Sequence, residues 1–234
     1  VQMFEQHFDT IECRNASREF VSFTGSRNGH RVTVLSTGIG TDNIDIVMTE
    51  LDALANIDFE TREVKDVHRT LNIVRLGTCG AIQPEIPLGS FILSHYSIGF
   101  DGLLNWYAKR EEITDTAMEE AFMKHMNWPA SLPVPYFAKA SNKLIELFAD
   151  STVRGMTISA PGFYGPQGRV VRLGLAMPDM LERVESFVYG DRKITNFEME
   201  GSAIAGMAGH LGHEAITVCC AIAHRYLKDA NTDY

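Results

Sequence analysis

The sequence has few of the residues that build metal or disulfide scaffolds. Of 234 residues only four are cysteine: Cys13, Cys79, Cys219 and Cys220. They form no CxxC pair and no histidine stands at zinc-finger spacing, so neither a zinc site nor a disulfide framework is indicated. Cys219 and Cys220 fall in an apolar run, where a thiol acts as a small hydrophobe. Sparse, unpatterned thiols fit a reducing, cytoplasmic compartment. No apolar stretch reaches the length of a membrane span, and no signal peptide is visible. Positive charge is also short. Lys and Arg number 21 against 30 Asp and Glu, a net charge of −9. That balance speaks against a general nucleic-acid binder and against an anionic membrane surface. It leaves room for a small anionic ligand, because a few arginines focused in a pocket outweigh the global charge. Internal repeats, low-complexity tracts and linkers are absent as well.

What is present is an ordinary hydrophobic share of 45%, enough for a sizeable core. Residues 20–23 and 31–35 read as strands around the hairpin signal Asn28-Gly29. The turn Ser36-Thr37-Gly38-Ile39-Gly40 precedes a helix that Thr41 and Asp42 can cap, with Ile44, Val47, Met48, Leu51 and Ala55 on one face. A buried-looking strand at 71–76 is broken by Gly77-Thr78-Cys79-Gly80, and residues 90–94 form another. Helices are expected at 114–126, 143–148 and 178–187, strands at 156–159 and 214–223, and a proline-punctuated loop between Pro129 and Pro135. The stretch 193–210 reads as strand, acidic crossing, then a small-residue helix bearing Ile204, Met207, Ala208 and Leu211. Strands alternating with helices predict an α/β fold, a mixed central sheet flanked by helices in one domain over residues 1–234. The chain opens at Val1 and stops at Tyr234 after a polar segment, and both ends are expected to be incomplete.

Three loops carry chemistry. Arg75 is the penultimate residue of its expected strand, and a guanidinium in an apolar run is costly unless it meets an anion. With the glycine amides and Thr78 beside it, it suits a phosphate; a structural carboxylate would satisfy it equally. The loop is neither a Walker loop nor a dinucleotide fingerprint. In the second loop, Phe163, Gln167 and Arg169 can stack on and hydrogen-bond a flat heterocycle with imide edges, although Phe163 could simply anchor a surface loop. In the third, Met199 offers an apolar face. Glu200 can accept hydrogen bonds from vicinal hydroxyls such as those of a ribose, or merely complement a helix dipole. An anion site, a ring site and a diol site on one sheet amount to a nucleoside and phosphate.

Four motifs in order, STGIG at 36–40, RLGTCGAIQP at 75–84, GFYGPQGR at 162–169 and NFEMEGSA at 196–203, resemble the nucleoside phosphorylase family and its uridine phosphorylase branch. The similarity spans almost the whole chain. It implies a pentosyltransferase of pyrimidine nucleoside salvage that converts uridine and phosphate to uracil and ribose 1-phosphate, with phosphate as co-substrate and no cofactor. By the same resemblance Arg75 and Thr78 bind phosphate, and Arg18 reaches the phosphate of a neighbouring subunit. Gln167 and Arg169 read the uracil edge, and Phe163 and Ile222 pack on the base. Thr78, Met199 and Glu200 hold the ribose, and Arg75, Arg169 and Glu200 carry catalysis. Glu19, Ile39 and Asn43 align with positions that hold a monovalent cation such as K+, Asn43 replacing a serine. Arg18 acting across an interface implies a homodimer as the minimal unit, with a hexamer as a trimer of dimers the larger form.

Two departures stand out. The family's Gly-Asp-Pro-x-Arg loop is missing, the chain beginning about where it ends, and so is an amino-terminal histidine that reaches the neighbour's ribose; His7 does not replace it. Alternatives are a purine nucleoside phosphorylase, a nucleosidase, or a nucleoside-binding or storage protein on the same fold. The purine enzymes place an aspartate after the last strand, where this chain reads Ala221-Ile222-Ala223-His224-Arg225 with no carboxylate before Asp229. A hydrolase has no need of a phosphate clamp at Arg75, and a degenerate binder would lose Arg18, Arg75, Arg169 or Glu200 first.

Overall fold

A computed structural model describes residues 1–225 and 229–230, grouped in two compact units, Val1–Ile39 and Gly40–Tyr234. The side chain of Asp229 lies outside the described residues. The first unit is a three-stranded antiparallel sheet, β1 (Thr10–Ser17), β2 (Phe20–Arg27) and β3 (His30–Leu35), in the order β1-β2-β3. Its β2–β3 turn is the expected Asn28-Gly29, both residues at positive φ (48° and 75°), which matches the right-handed twist of a two-residue hairpin. β1 had no counterpart in the sequence reading. Its residues are almost all exposed, so no apolar alternation marks it.

The second unit opens with α1 (Thr41–Asn56), whose buried Ile44, Val47 and Met48 recur at helical spacing. Its N-cap is Gly40, at φ 97°, and neither Thr41 nor Asp42 caps it by a side-chain bond. Then follow β4 (Asn72–Ala81), β5 (Phe91–Gly99), α2 (Thr116–Met126), β6 (Tyr136–Lys139), α3 (Asn142–Phe148), β7 (Val153–Ser159), α4 (Met180–Ser186), β8 (Arg192–Glu198), α5 (Gly201–His210) and β9 (Glu214–His224). The Asp115 carboxylate accepts the Met118 N–H and starts α2. Met118, Phe122 and Met126 are fully buried, each worth about 1.5–3 kcal/mol of burial.

β9 runs parallel to β4, β8 antiparallel to β4, and β7 parallel to both β8 and β5. β9 also pairs antiparallel with β5, so the path β9-β4-β8-β7-β5 returns to β9 and closes the sheet on itself. β6 adds to the outer side of β5. Cys79, Ala81, Cys219 and Ala221 pack with Ile86 and Ile92, and the four small side chains suit the confined interior of a closed sheet. Outside it, α1 and α5 pack together with Leu104 and Tyr136, while α2 and α4 cover Ile98, Met156, Ile158 and Phe197. The mixed sheet flanked by helices matches expectation. Among the described residues no helix is long and apolar enough to cross a membrane.

Candidate active site

The C-terminal ends of β7 and β8 deliver Ser159 and Glu198 side by side, in register. β4 runs the other way, so its N-terminal half lies towards these ends. Arg75 therefore arrives from mid-strand. The expected break after residue 76 does not occur: Gly77, Thr78 and Cys79 continue the ladder opposite Cys219, Cys220 and Ala221 of β9. Glycine has a packing reason here. A Cβ on Gly77 would stand 2.7 Å from Arg75 Nη1, so the guanidinium folds back over the bare backbone two residues on.

That guanidinium meets two carboxylates. Nη1 stands 3.1 Å from Glu198 Oε2, and Nη2 donates to Glu200 Oε2. Nη1 also lies 3.1 Å from Cys219 Sγ. Burial disfavours the Arg75 charge, but Glu198, Cys219 and Glu200 outweigh it and push its pKa up. Both readings of Arg75 thus bear on one geometry. It is paired with carboxylates, and it sits at the mouth of the strand ends beside exposed Thr78.

The two glutamates divide the work differently from expectation. Glu198 accepts the N–H groups of Glu200 at 2.8 Å and of Gly201 at 2.9 and 3.0 Å. It also accepts the Ser159 hydroxyl. It is therefore the carboxylate that meets the otherwise unpaired amides at the start of α5. Glu200 occupies the N-cap position without a side-chain cap bond, so the dipole-complementing role does not fall to it. Its Oε1 instead accepts the Gly40 N–H at 2.7 Å. Burial, with Glu198 adding to it, pushes the Glu200 pKa up against the pull of Arg75 and the Gly40 amide.

A second cluster forms on the 163–169 loop. The Arg169 guanidinium lies over the Phe163 ring, 3.7 Å from its centroid, and donates to Gln167 Oε1 at 2.6 Å and the Phe163 carbonyl at 2.5 Å. Gln167 is 4% exposed, whereas Phe163 is 52% exposed. The ring therefore does not anchor the loop in the core; it presents a face to solvent. Arg225, just past the end of β9, donates to the Gln167 carbonyl. Its stem lies over Gly80, where a Cβ would sit 2.9 Å from Cδ. Burial and the neighbouring Arg169 push the Arg225 pKa down to about 10. β4 thus joins the clusters, with Arg75 on one part and Gly80 beneath Arg225 on another. Ile222 and Met199 are half-buried at the ends of β9 and β8.

The remaining expected residues fall on the first unit and on α1. Arg18 and Glu19 form the exposed β1–β2 turn of the first unit, Arg18 at φ 53°. Ile39 ends that unit, 73% exposed, and Asn43 lies in the first turn of α1. Ser159, Cys219 and the Gly40 amide were not legible as site groups, because each acts through a partner distant in sequence.

The chain is similar to known proteins in sequence and fold. A uridine phosphorylase of Thermococcus kodakarensis is 28% identical over 212 residues, 91% of this chain and 65% of the relative; the chain spans just under two thirds of that relative's length. A DeoD-type purine nucleoside phosphorylase of Bacillus thuringiensis is 24% identical over 230 residues, 97% of this chain and 78% of the relative. A crystal structure of Trypanosoma brucei nucleoside phosphorylase, which shows uridine phosphorylase activity, superposes with a TM-score of 0.88 at 28% identity. The match covers 99% of this chain and 83% of that one. The family described as the Phosphorylase superfamily matches residues 1–234 in full, and the chain belongs to it.

Proposed function

We propose that the protein is a uridine phosphorylase, converting uridine and phosphate reversibly to uracil and ribose 1-phosphate. The observation that carries this reading is the Phe163–Gln167–Arg169 group. It combines an exposed ring face, a side-chain amide and a guanidinium within one short loop, the set a flat ring with imide edges requires. The similarity to two proteins with uridine phosphorylase in their description supports it. So does the absence of any carboxylate from residues 221–225, where a purine would call for one.

In the proposed reaction the glycosidic bond loosens first, building positive charge on the sugar and negative charge on the base. Phosphate held by Arg75, Thr78 and Arg18 of a second copy stands below the anomeric carbon, so proximity replaces an encounter and its charge steadies the oxocarbenium-like centre. Glu200 accepts ribose hydroxyls beside Met199, and a bond to the 2-hydroxyl tightens as charge develops. For this, Glu200 exchanges part of its bonding to Arg75 and Gly40 for substrate. Uracil leaves as an anion whose charge spreads onto its oxygens. Arg169 and Gln167 stabilise it with Phe163 and Ile222 against the ring, and no strong general acid is needed. Phosphate is the co-substrate; no organic cofactor is assigned, and K+ is the one ion this reading admits. A homodimer is the smallest complete unit.

The test is release of free base from uridine or inosine, with and without phosphate. Phosphate-dependent release of uracil is expected. Equal rates without phosphate would mean a nucleosidase, preference for inosine a purine enzyme, and no release at all a binding protein.

A further inference from the structure

At the opposite ends of β7 and β8 from Ser159 and Glu198 lies a second concavity. It is a cavity of about 360 Å³ lined by Arg154, Arg192, Lys193, His95, Gln83 and Thr195, among others. The chain as a whole is acidic, yet three cations converge here. Two acids, Glu85 and Asp191, share the rim. Glu85 is taken up by Lys193, at 3.2 Å. Arg154 and Arg192 form no ion pair with any carboxylate among the described residues. The Arg192 guanidinium lies 5.5 Å from the centre of the Tyr96 ring, a contact that leaves its N–H fork free to donate. Burial pushes the His95 pKa down, and Arg192, Lys139 and Arg154 add to this against the opposing charge of Asp191.

The floor is rigid and polar. Gln83 Nε2 donates to the carbonyls of Ile194 at 2.8 Å and Glu185 at 3.1 Å. Gly155 packs so tightly that a Cβ would meet Thr195 Cγ2 at 2.1 Å. An unpaired pair of arginine forks above a fixed polar floor suits a ligand with several acceptor oxygens and more than one negative charge.

We propose that this pocket binds a phosphoryl dianion, as a second site apart from the Arg75 cluster, with Arg154 and Arg192 as its principal donors. The phosphoryl group could belong to inorganic phosphate or to a small phosphate monoester, for which the cavity has room.

The experiment titrates the intact protein by calorimetry with inorganic phosphate and, in a parallel arm, with ribose 5-phosphate. It compares wild type with the double variant Arg154→Ala/Arg192→Ala. The wild type should bind one more ligand per chain than the variant, or bind at that site at least about tenfold more tightly. The variant should keep its turnover of uridine. Tighter uptake of ribose 5-phosphate identifies a monoester site, and equal or tighter uptake of inorganic phosphate a free-phosphate site. Identical titrations of wild type and variant overturn the proposal. So does an equal loss on replacing two exposed cations elsewhere, Lys109 and Arg172, with alanine, since that would reduce the effect to net charge. Arg75→Ala should leave the extra binding event in place, so failure of the uridine phosphorylase reading and failure of this one give different results.

Discussion

Removing the Glu198 carboxylate should destabilise the protein more than any other single change at the site. The side chain is 1% exposed and serves four partners: the amides of Glu200 and Gly201, the Ser159 hydroxyl and the Arg75 guanidinium. In Glu198→Ala the two amides and the hydroxyl lose their acceptor, at about 1–3 kcal/mol for each buried donor left unpaired. Arg75 also loses one of its two counter-charges, and cutting a buried ion pair costs about 3–5 kcal/mol. Glu200 still faces Arg75, water can enter the vacated space, and terms within one network do not add. The expected loss is therefore about 4 kcal/mol rather than the sum, a large part of the roughly 5–15 kcal/mol that holds a domain folded. Glu198→Gln keeps the shape and one carbonyl acceptor, and should lose about half as much. Urea unfolding measures both as a drop in midpoint at unchanged slope. An alanine variant within about 1 kcal/mol of wild type would refute the argument, because Glu198 would then neither cap α5 nor hold Arg75.

Three further outcomes are expected. Gly77→Ala places a Cβ where Arg75 Nη1 now lies, 2.7 Å away, and should cost at least about tenfold in kcat/KM with a stability loss of about 1–3 kcal/mol; unchanged phosphorolysis would show that Arg75 does not need its present position. Arg169→Ala should lose base discrimination and about 2.7–4 kcal/mol of transition-state stabilisation while phosphate binding by calorimetry stays nearly intact; a large loss of phosphate affinity would contradict the placement of Arg169 on the base. Because burial raises the Glu200 pKa above 4.5 and the ionised form is the one that accepts ribose hydroxyls, kcat/KM for uridine should fall with decreasing pH through a pKa above that of an ordinary glutamate. Removing Arg75, whose charge opposes the rise, should move that acid limb higher still, and a limb at or below the ordinary value in the wild type would argue against the ionised role.

By itself the sequence determined the elements whose patterns are local. The Asn28-Gly29 hairpin, the helical face of Ile44, Val47 and Met48, and the apolar run of β9 follow from turn geometry, a 3.6-residue period and a buried strand. The family was legible in the same way, through four ordered motifs, as was the association of Phe163, Gln167 and Arg169 within one loop. β1 was not legible, because an exposed strand carries no alternation, and β4 was misjudged because glycines that usually end a strand here make room for Arg75.

Only the tertiary structure decided how the two glutamates share their tasks. Glu198 and Glu200 are two residues apart, and the family resemblance assigns a role to Glu200 alone. The strand end turns Glu198 into the start of α5 and onto Ser159, while Glu200 faces Gly40 and Arg75. Ser159, Gly40 and Arg75 lie 39 to 160 positions away from them, and a carboxylate's role is set by which donors surround it and how much water it has lost. Those are properties of packing, and no local pattern carries them.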